Sequence, residues 1–191
     1  ADDFNGDGNV DLVVGSTTAS TVAVLLGDGA GQFGAPTLVA SGQQPTFIVI
    51  DDFDGNGTRD LAVPNTNTNT VSILYGNGQG GFGAPVPITL SNIVIRVRPA
   101  GDVNGDNKPD LLVSTRPDVN STDLDLELLL NDGAGGFLAP TLLIAGSAVA
   151  QTPAIKFDSE TISGLGARNI GSAAMSGRIA AIDAVREGQR L

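Results

Sequence analysis

Three short segments concentrate oxygen-bearing side chains at one spacing. DFNGDGNVDL begins at Asp3, DFDGNGTRDL at Asp52 and DVNGDNKPDL at Asp102. Counted from the first aspartate, positions 1, 3, 5 and 9 are all acids or amides. They are Asp3, Asn5, Asp7 and Asp11 in the first segment, Asp52, Asp54, Asn56 and Asp60 in the second, and Asp102, Asn104, Asp106 and Asp110 in the third. Oxygens gathered on a tight loop suit a hard cation, and calcium takes about six to eight of them at about 2.3–2.6 Å. The backbone carbonyl at position 7, carried by Asn9, Thr58 or Lys108, is expected to add another. Position 6 must turn sharply in the left-handed region, which Gly8 and Gly57 permit. Asn107 holds that place in the third loop; Asn tolerates it better than most residues, but this site is the weakest of the three. The segments are therefore read as sites for up to three Ca2+ ions.

Two other readings compete. An EF-hand loop opens the same way but needs a bidentate Glu at position 12 and a helix after it. Here position 12 is Val14, Val63 or Val113, inside apolar strand-like runs, so that reading fails. Asp, Asn and Gly also build ordinary solvated turns, which would explain a single copy as well as a metal does. Three copies in register favour the metal, because each loop packs three carboxylates into one turn and their repulsion calls for a cation. Three divalent ions would bring the formal charge from −11 to −5.

The remaining chemistry is narrow. The chain has no Cys and no His, which removes disulfides, thiolate and imidazole metal sites and every His-based triad. With 21 acidic against 10 basic residues it is a poor ligand for nucleic acid or anionic membranes. No apolar run is long enough to span a bilayer, and any signal peptide lies outside the sequence. A binding protein is expected rather than an enzyme. The competing classes are the propeller portion of a secreted polysaccharide- or peptide-processing enzyme and a passive structural spacer.

The elements that must hold the loops repeat with them. The loops recur after 49 and then 50 residues, and a second motif keeps step: GDGAGQFGAPTL, GNGQGGFGAPVP and NDGAGGFLAPTL carry Phe33, Phe82 and Phe137. Each unit reads as four short strands, seen best in the second copy: 47–50 before the loop, 61–63 after it, 70–75, and one starting near Val86. Four strands at this period make a propeller blade. The class is all-β, a partial β-propeller of about three antiparallel four-stranded blades over 1–150. Imperfect alternation in Thr21–Leu26 fits a strand covered on both faces. Phe33, Phe82 and Phe137 are expected to plug the space between adjacent blades, with Ala-Pro leading into the outer strand. The first copy lacks the strand ahead of its loop. Unclosed blades leave strand edges and apolar faces bare, so self-association is expected.

These motifs resemble the FG-GAP repeats of integrin α-subunit propellers and the related VCBS repeats of bacterial surface proteins. Phe-Gly-Ala-Pro at 33–36 and 82–85 carries the resemblance, and the third copy departs to Phe-Leu-Ala-Pro at 137–140. The resemblance implies calcium in the loops and a secreted or cell-surface location, with a bacterial exported protein in view. It also implies adhesion or recognition of an extracellular protein or carbohydrate.

The repeat stops after Pro140, and 151–191 read as a linker and the possible start of a second propeller. ARNIGSAAMSGRIAAIDAV (167–185) resembles the opening of a sortilin-like, Asp-box propeller. The same stretch equally fits an amphipathic helix over 172–187, with Met175, Ile179, Ile182 and Arg186 at helical spacing. In the third copy's insertion, Asp118, Asp123 and Asp125 either widen a ligand surface or, more simply, solvate a loop.

Overall fold

The computed structural model describes residues 1–66 and 68–145, which carry eleven strands and no helix. β1 (Leu12–Ser16), β2 (Thr21–Leu25) and β3 (Thr37–Ala40) form one antiparallel sheet in that order. β4 (Val49–Asp51), β5 (Asp60–Asn65), β6 (Thr70–Leu74) and β7 (Val86–Thr89) form a second. β8 (Ile93–Gly101), β9 (Asp110–Arg116), β10 (Asp125–Leu129) and β11 (Thr141–Ile144) form a third. Each sheet is one sequence repeat, and together they are three blades of a partial β-propeller. The expectations for 151–191, the second propeller and the helix alike, lie outside the described residues.

Among the described residues the first blade has three strands, and the first copy of the repeat opens at its acidic loop. Where Asp51 pairs with Asp60 in the second blade, a single bridge between Asp2 and Asp11 stands in the first. The strand expected at 47–50 begins at Val49 instead, because Phe47 sits at φ 49°, a left-handed backbone that cannot continue an extended run. Its exposed ring carries the Arg96 guanidinium 4.6 Å from its centroid.

Apolar residues fill two cores, one on each side of the central sheet. Leu61 and Val63 of β5 join Leu74 in a core with Phe4, Val22 and Val24 of the first blade. Ala62 points the other way and joins Val71 and Ile73 in a core with Leu111, Val113 and Leu129 of the third. Alternate side chains of one strand thus enter different cores, which is why β5 is buried throughout and its sequence shows no polar face. The outer blades alternate: in β2 only Val22 and Val24 are buried, and in β10 only Asp125, Glu127 and Leu129.

The two junctions share a design. Phe82 meets the Phe4 ring edge-to-face at 5.6 Å, and Phe137 meets Phe53 in the same way at 5.7 Å. Phe33 departs from its expected role. It is 43% exposed, because among the described residues no blade precedes the first to offer it a ring.

Candidate metal centres

Each acidic loop joins the first and second strand positions of its blade, and its carboxylates are organised by backbone N–H groups. The position-1 aspartate spans the turn. Asp3 accepts from the amides of Gly6 and Gly8 at 2.8 and 2.9 Å, Asp52 from Gly55 and Gly57 at 2.8 Å each, and Asp102 from Gly105 and Asn107 at 2.7 and 2.8 Å. The turn needs a left-handed residue at position 6, and Asn107 adopts φ 62° where the other loops have glycine.

Positions 3 and 5 always hold one Asp and one Asn, bonded to each other. Asn5 donates to Asp7 at 2.9 Å, Asn56 to Asp54 at 2.9 Å and Asn104 to Asp106 at 3.0 Å. Each loop therefore has the same three negative charges, differently placed.

Position 9 opens the strand after the loop in the second and third copies and stands immediately before it in the first, and it is fully buried in all three. One oxygen of Asp11, Asp60 and Asp110 accepts from the amide of Phe4, Phe53 and Val103 at 2.9, 2.8 and 2.8 Å. The other accepts from Gly27, Gly76 and Asn131 at 2.8, 2.7 and 2.9 Å. This carboxylate thus ties the acidic loop to the Gly-rich turn, a structural role that its place in a ligand pattern does not reveal.

At position 7 the side chains also reach that turn. The Thr58 hydroxyl donates to the Gly76 carbonyl at 3.1 Å, and the Lys108 ammonium to the Asp132 carbonyl at 2.8 Å. Lys108 is thereby directed at the turn.

Three carboxylates converge in the second loop: oxygens of Asp52, Asp54 and Asp60 lie within 4.8 Å of one another. Asp3, Asp7 and Asp11, and Asp102, Asp106 and Asp110, do not meet this way. In those loops the middle acid stands at position 5, where Asp7 and Asp106 accept from the amides of Asn9 and Lys108 at 2.8 and 3.0 Å.

The electrostatics separate the loops similarly. Burial pushes the Asp60 carboxyl above the usual range; amide bonds from Gly76 and Phe53 oppose this, and the charges of Asp54 and Asp52 reinforce it. Asp7 is lowered by the Asn5 side chain and then the Asn9 amide, and Asp102 chiefly by the Asn107 amide. Negative charge is least compensated in the second loop. An all-oxygen donor set with three converging carboxylates fits a hard divalent cation there.

Several contributors escaped the ligand pattern. Phe4 and Phe53 at position 2 build the blade junctions, Val103 holds the same place in the third loop, and their shared apolar character is the signal. Asn131 replaces the glycine of the other copies, and its amide donates to the Phe53 carbonyl in the neighbouring blade at 2.9 Å. Of the insertion acids, Asp118 and Asp123 are exposed, whereas Asp125 is buried in β10 and accepts from Asn92 at 2.7 Å.

Fold and loops together define a β-propeller repeat protein with aspartate-rich loops at one end of each blade. The FG-GAP-like repeat family model matches residues 3–63 and 52–113, more than half of the chain, and the chain belongs to that family. Among curated proteins, none matches it in sequence. The sortilin-like resemblance of 167–185 gains no support from these comparisons.

Proposed function

We propose that this chain is a calcium-stabilised recognition or adhesion module of an exported protein, without catalytic activity of its own. The observation that carries the reading is the convergence of Asp52, Asp54 and Asp60 in a loop whose frame recurs in the other two blades. Membership of a family typical of extracellular proteins supports export, and extracellular calcium is abundant enough for sites of modest affinity. Asp52, Asp54 and Asp60, with the Asn56 amide oxygen, would hold the ion, which supplies positive charge and cross-links the loop. The chain's own residues do the rest: position 1 shapes the turn and position 9 anchors it to the blade.

The partner is an extracellular protein or carbohydrate. An open groove between the first two acidic loops, lined by Asp2, Asp3, Asp52, Thr58 and Arg59, offers hydrogen-bonding groups of both signs. Arg59 is held there by an ion pair to Asp2 at 3.1 Å. The chain has no His or Cys to act as base or nucleophile, and the loop acids have structural or metal-binding roles that account for them.

The test is thermal unfolding during titration with calcium from excess chelator, with magnesium as control. A saturable, calcium-selective rise of about 1.4 kcal/mol per site at ten times the dissociation constant is expected. A cooperative transition that ignores calcium would overturn the metal reading.

A further inference from the structure

Four asparagines precede a glycine, Asn5, Asn56, Asn77 and Asn104, and an Asn-Gly pair can lose ammonia by attack of the glycine nitrogen on the asparagine side chain. Glycine favours the reaction because it has no side chain to block that approach. Three of the pairs lie in the acidic loops, and both of their reacting groups are tied to carboxylates. The amides of Gly6, Gly57 and Gly105 donate to Asp3, Asp52 and Asp102 at 2.8, 2.8 and 2.7 Å. The side-chain amides of Asn5, Asn56 and Asn104 donate to Asp7, Asp54 and Asp106 at 2.9, 2.9 and 3.0 Å. A backbone N–H held by an anion is a poor source of the nucleophile, since losing its proton would place a second negative charge beside the first.

Asn77 lacks both ties. It is exposed at the head of the Gly-rich turn of the second blade, and among the described residues neither the Gly78 N–H nor the Asn77 side-chain NH2 has a hydrogen-bond partner. Its Oδ1 accepts from the Gln79 and Gly81 amides at 2.9 and 3.0 Å, which draws electrons from the carbon under attack and steadies the oxyanion that forms there. Aspartates hold the same place in the other blades. Asp28 accepts from Ala30 and Gln32 at 2.8 and 2.9 Å, and Asp132 from Ala134 and Gly136 at 2.8 and 3.0 Å. The turn thus needs an acceptor at this position and makes no use of the NH2, so it accommodates an aspartate in place of Asn77.

We propose that Asn77 is a self-modification site of the folded protein. The Gly78 nitrogen gives up its proton and bonds to the Asn77 Cγ, the Cγ–Nδ2 bond breaks, and the NH2 leaves with that proton as ammonia. The resulting succinimide takes up one water, which opens it to aspartate or, at its other carbonyl, to isoaspartate. No oxidant or reductant is involved, and either product carries one added negative charge. That charge lies beside the second acidic loop, because a Cβ at Gly78 would stand 3.0 Å from the Thr58 Cγ2. In isoaspartate the main chain runs through Cγ and gains a carbon, within a turn whose Gly80 amide donates to the Phe4 carbonyl of the first blade at 2.9 Å. One product therefore fits the blade junction and the other loosens it. The inference does not depend on the metal reading.

The test is incubation of the full chain in mildly alkaline buffer with chelator, made in water enriched in heavy oxygen, followed by peptide mapping with mass spectrometry to follow label at each of the four asparagines. A hydrogen bond to a charged acceptor slows the attack by about ten- to a hundredfold, so Asn77 should gain label faster than Asn5, Asn56 and Asn104 by about that factor. In denaturant the four rates should converge, since every pair is then an Asn-Gly released from its partners. Asn77→Asp is expected to unfold at the midpoint of the parent. An Asn77 that stays unlabelled in the folded chain overturns the proposal. So does label that reaches an acidic-loop asparagine equally fast, a ranking that persists in denaturant, or an Asn77→Asp variant clearly less stable than the parent.

Discussion

Replacing Asp60 by alanine is expected to destabilise the protein with or without calcium, whereas Asp54→Asn should matter only when calcium is present. Asp60 is fully buried, and its oxygens accept the Phe53 and Gly76 amides at 2.8 and 2.7 Å. Truncation leaves the buried Phe53 N–H and the partly buried Gly76 N–H without acceptors, at up to about 1–3 kcal/mol each. Losing the desolvation of a buried carboxylate and its repulsion from Asp54 and Asp52 offsets part of that. The net expectation is about 2–4 kcal/mol in chelator, a large share of a domain's stability of about 5–15 kcal/mol. Asp54 is half-buried and bonded to Asn56; its asparagine variant retains an acceptor and sheds repulsion, so in chelator it should lie within about 0.5 kcal/mol of the parent. In calcium at ten times the dissociation constant, Asp54→Asn should forfeit about 1.4 kcal/mol. Urea unfolding of the parent and both variants, in chelator and in calcium, measures all six values. Equal losses for the two variants in chelator would refute the assignment of position 9 as a staple and position 3 as a ligand alone.

Phe53→Ala should cost about 3–5 kcal/mol, since the ring is buried and stacked edge-to-face on Phe137, while the exposed Phe33→Ala should cost under about 1 kcal/mol; thermal unfolding compares them. Tyr75 is the sole tyrosine, and burial, followed by the charges of Asp60, Asp54 and Asp132, holds its hydroxyl above 10.0. Ultraviolet titration should show that midpoint falling when calcium neutralises the neighbouring acids, and a midpoint indifferent to calcium would count against an ion in the second loop. The Gln32 and Ala30 amides hold the Asp28 carboxyl below its ordinary 3.8. Its stabilising effect is accordingly complete above that value and fades as pH falls through the lower folded midpoint. Asp28→Asn, matching Asn77 of the second blade, should abolish that acid-side dependence with little loss at neutral pH, as read by unfolding against pH.

The blade count, the strand order within each blade and the acidic loops were legible in the sequence because they are local. A strand needs a run of suitable residues, a turn needs Gly or Asn at a left-handed position, and a repeat announces itself by its period. Gly57 and Asn107 illustrate this, since their residue types alone imply the φ they adopt. Roles that depend on a distant neighbour were not legible. Phe33, Phe82 and Phe137 are equivalent by sequence, yet among the described residues Phe82 and Phe137 meet the rings of Phe4 and Phe53 while Phe33 is 43% exposed, a difference set by packing between repeats and not by the motif. Asp125 read as a surface acid and is buried, since β10 begins within the polar insertion and turns that side chain inward.

The sequence by itself determined the family, the repeat and the residue types able to meet a hard cation. Only the tertiary structure decided that Asp52, Asp54 and Asp60 converge while the corresponding acids of the other loops do not. It also decided that the position-9 aspartates spend their oxygens on backbone amides brought from two different turns. The physical reason is range: coordination and hydrogen bonding act over about 3 Å, and which groups come that close is set by how the loop and the Gly-rich turn meet, which local spacing does not encode.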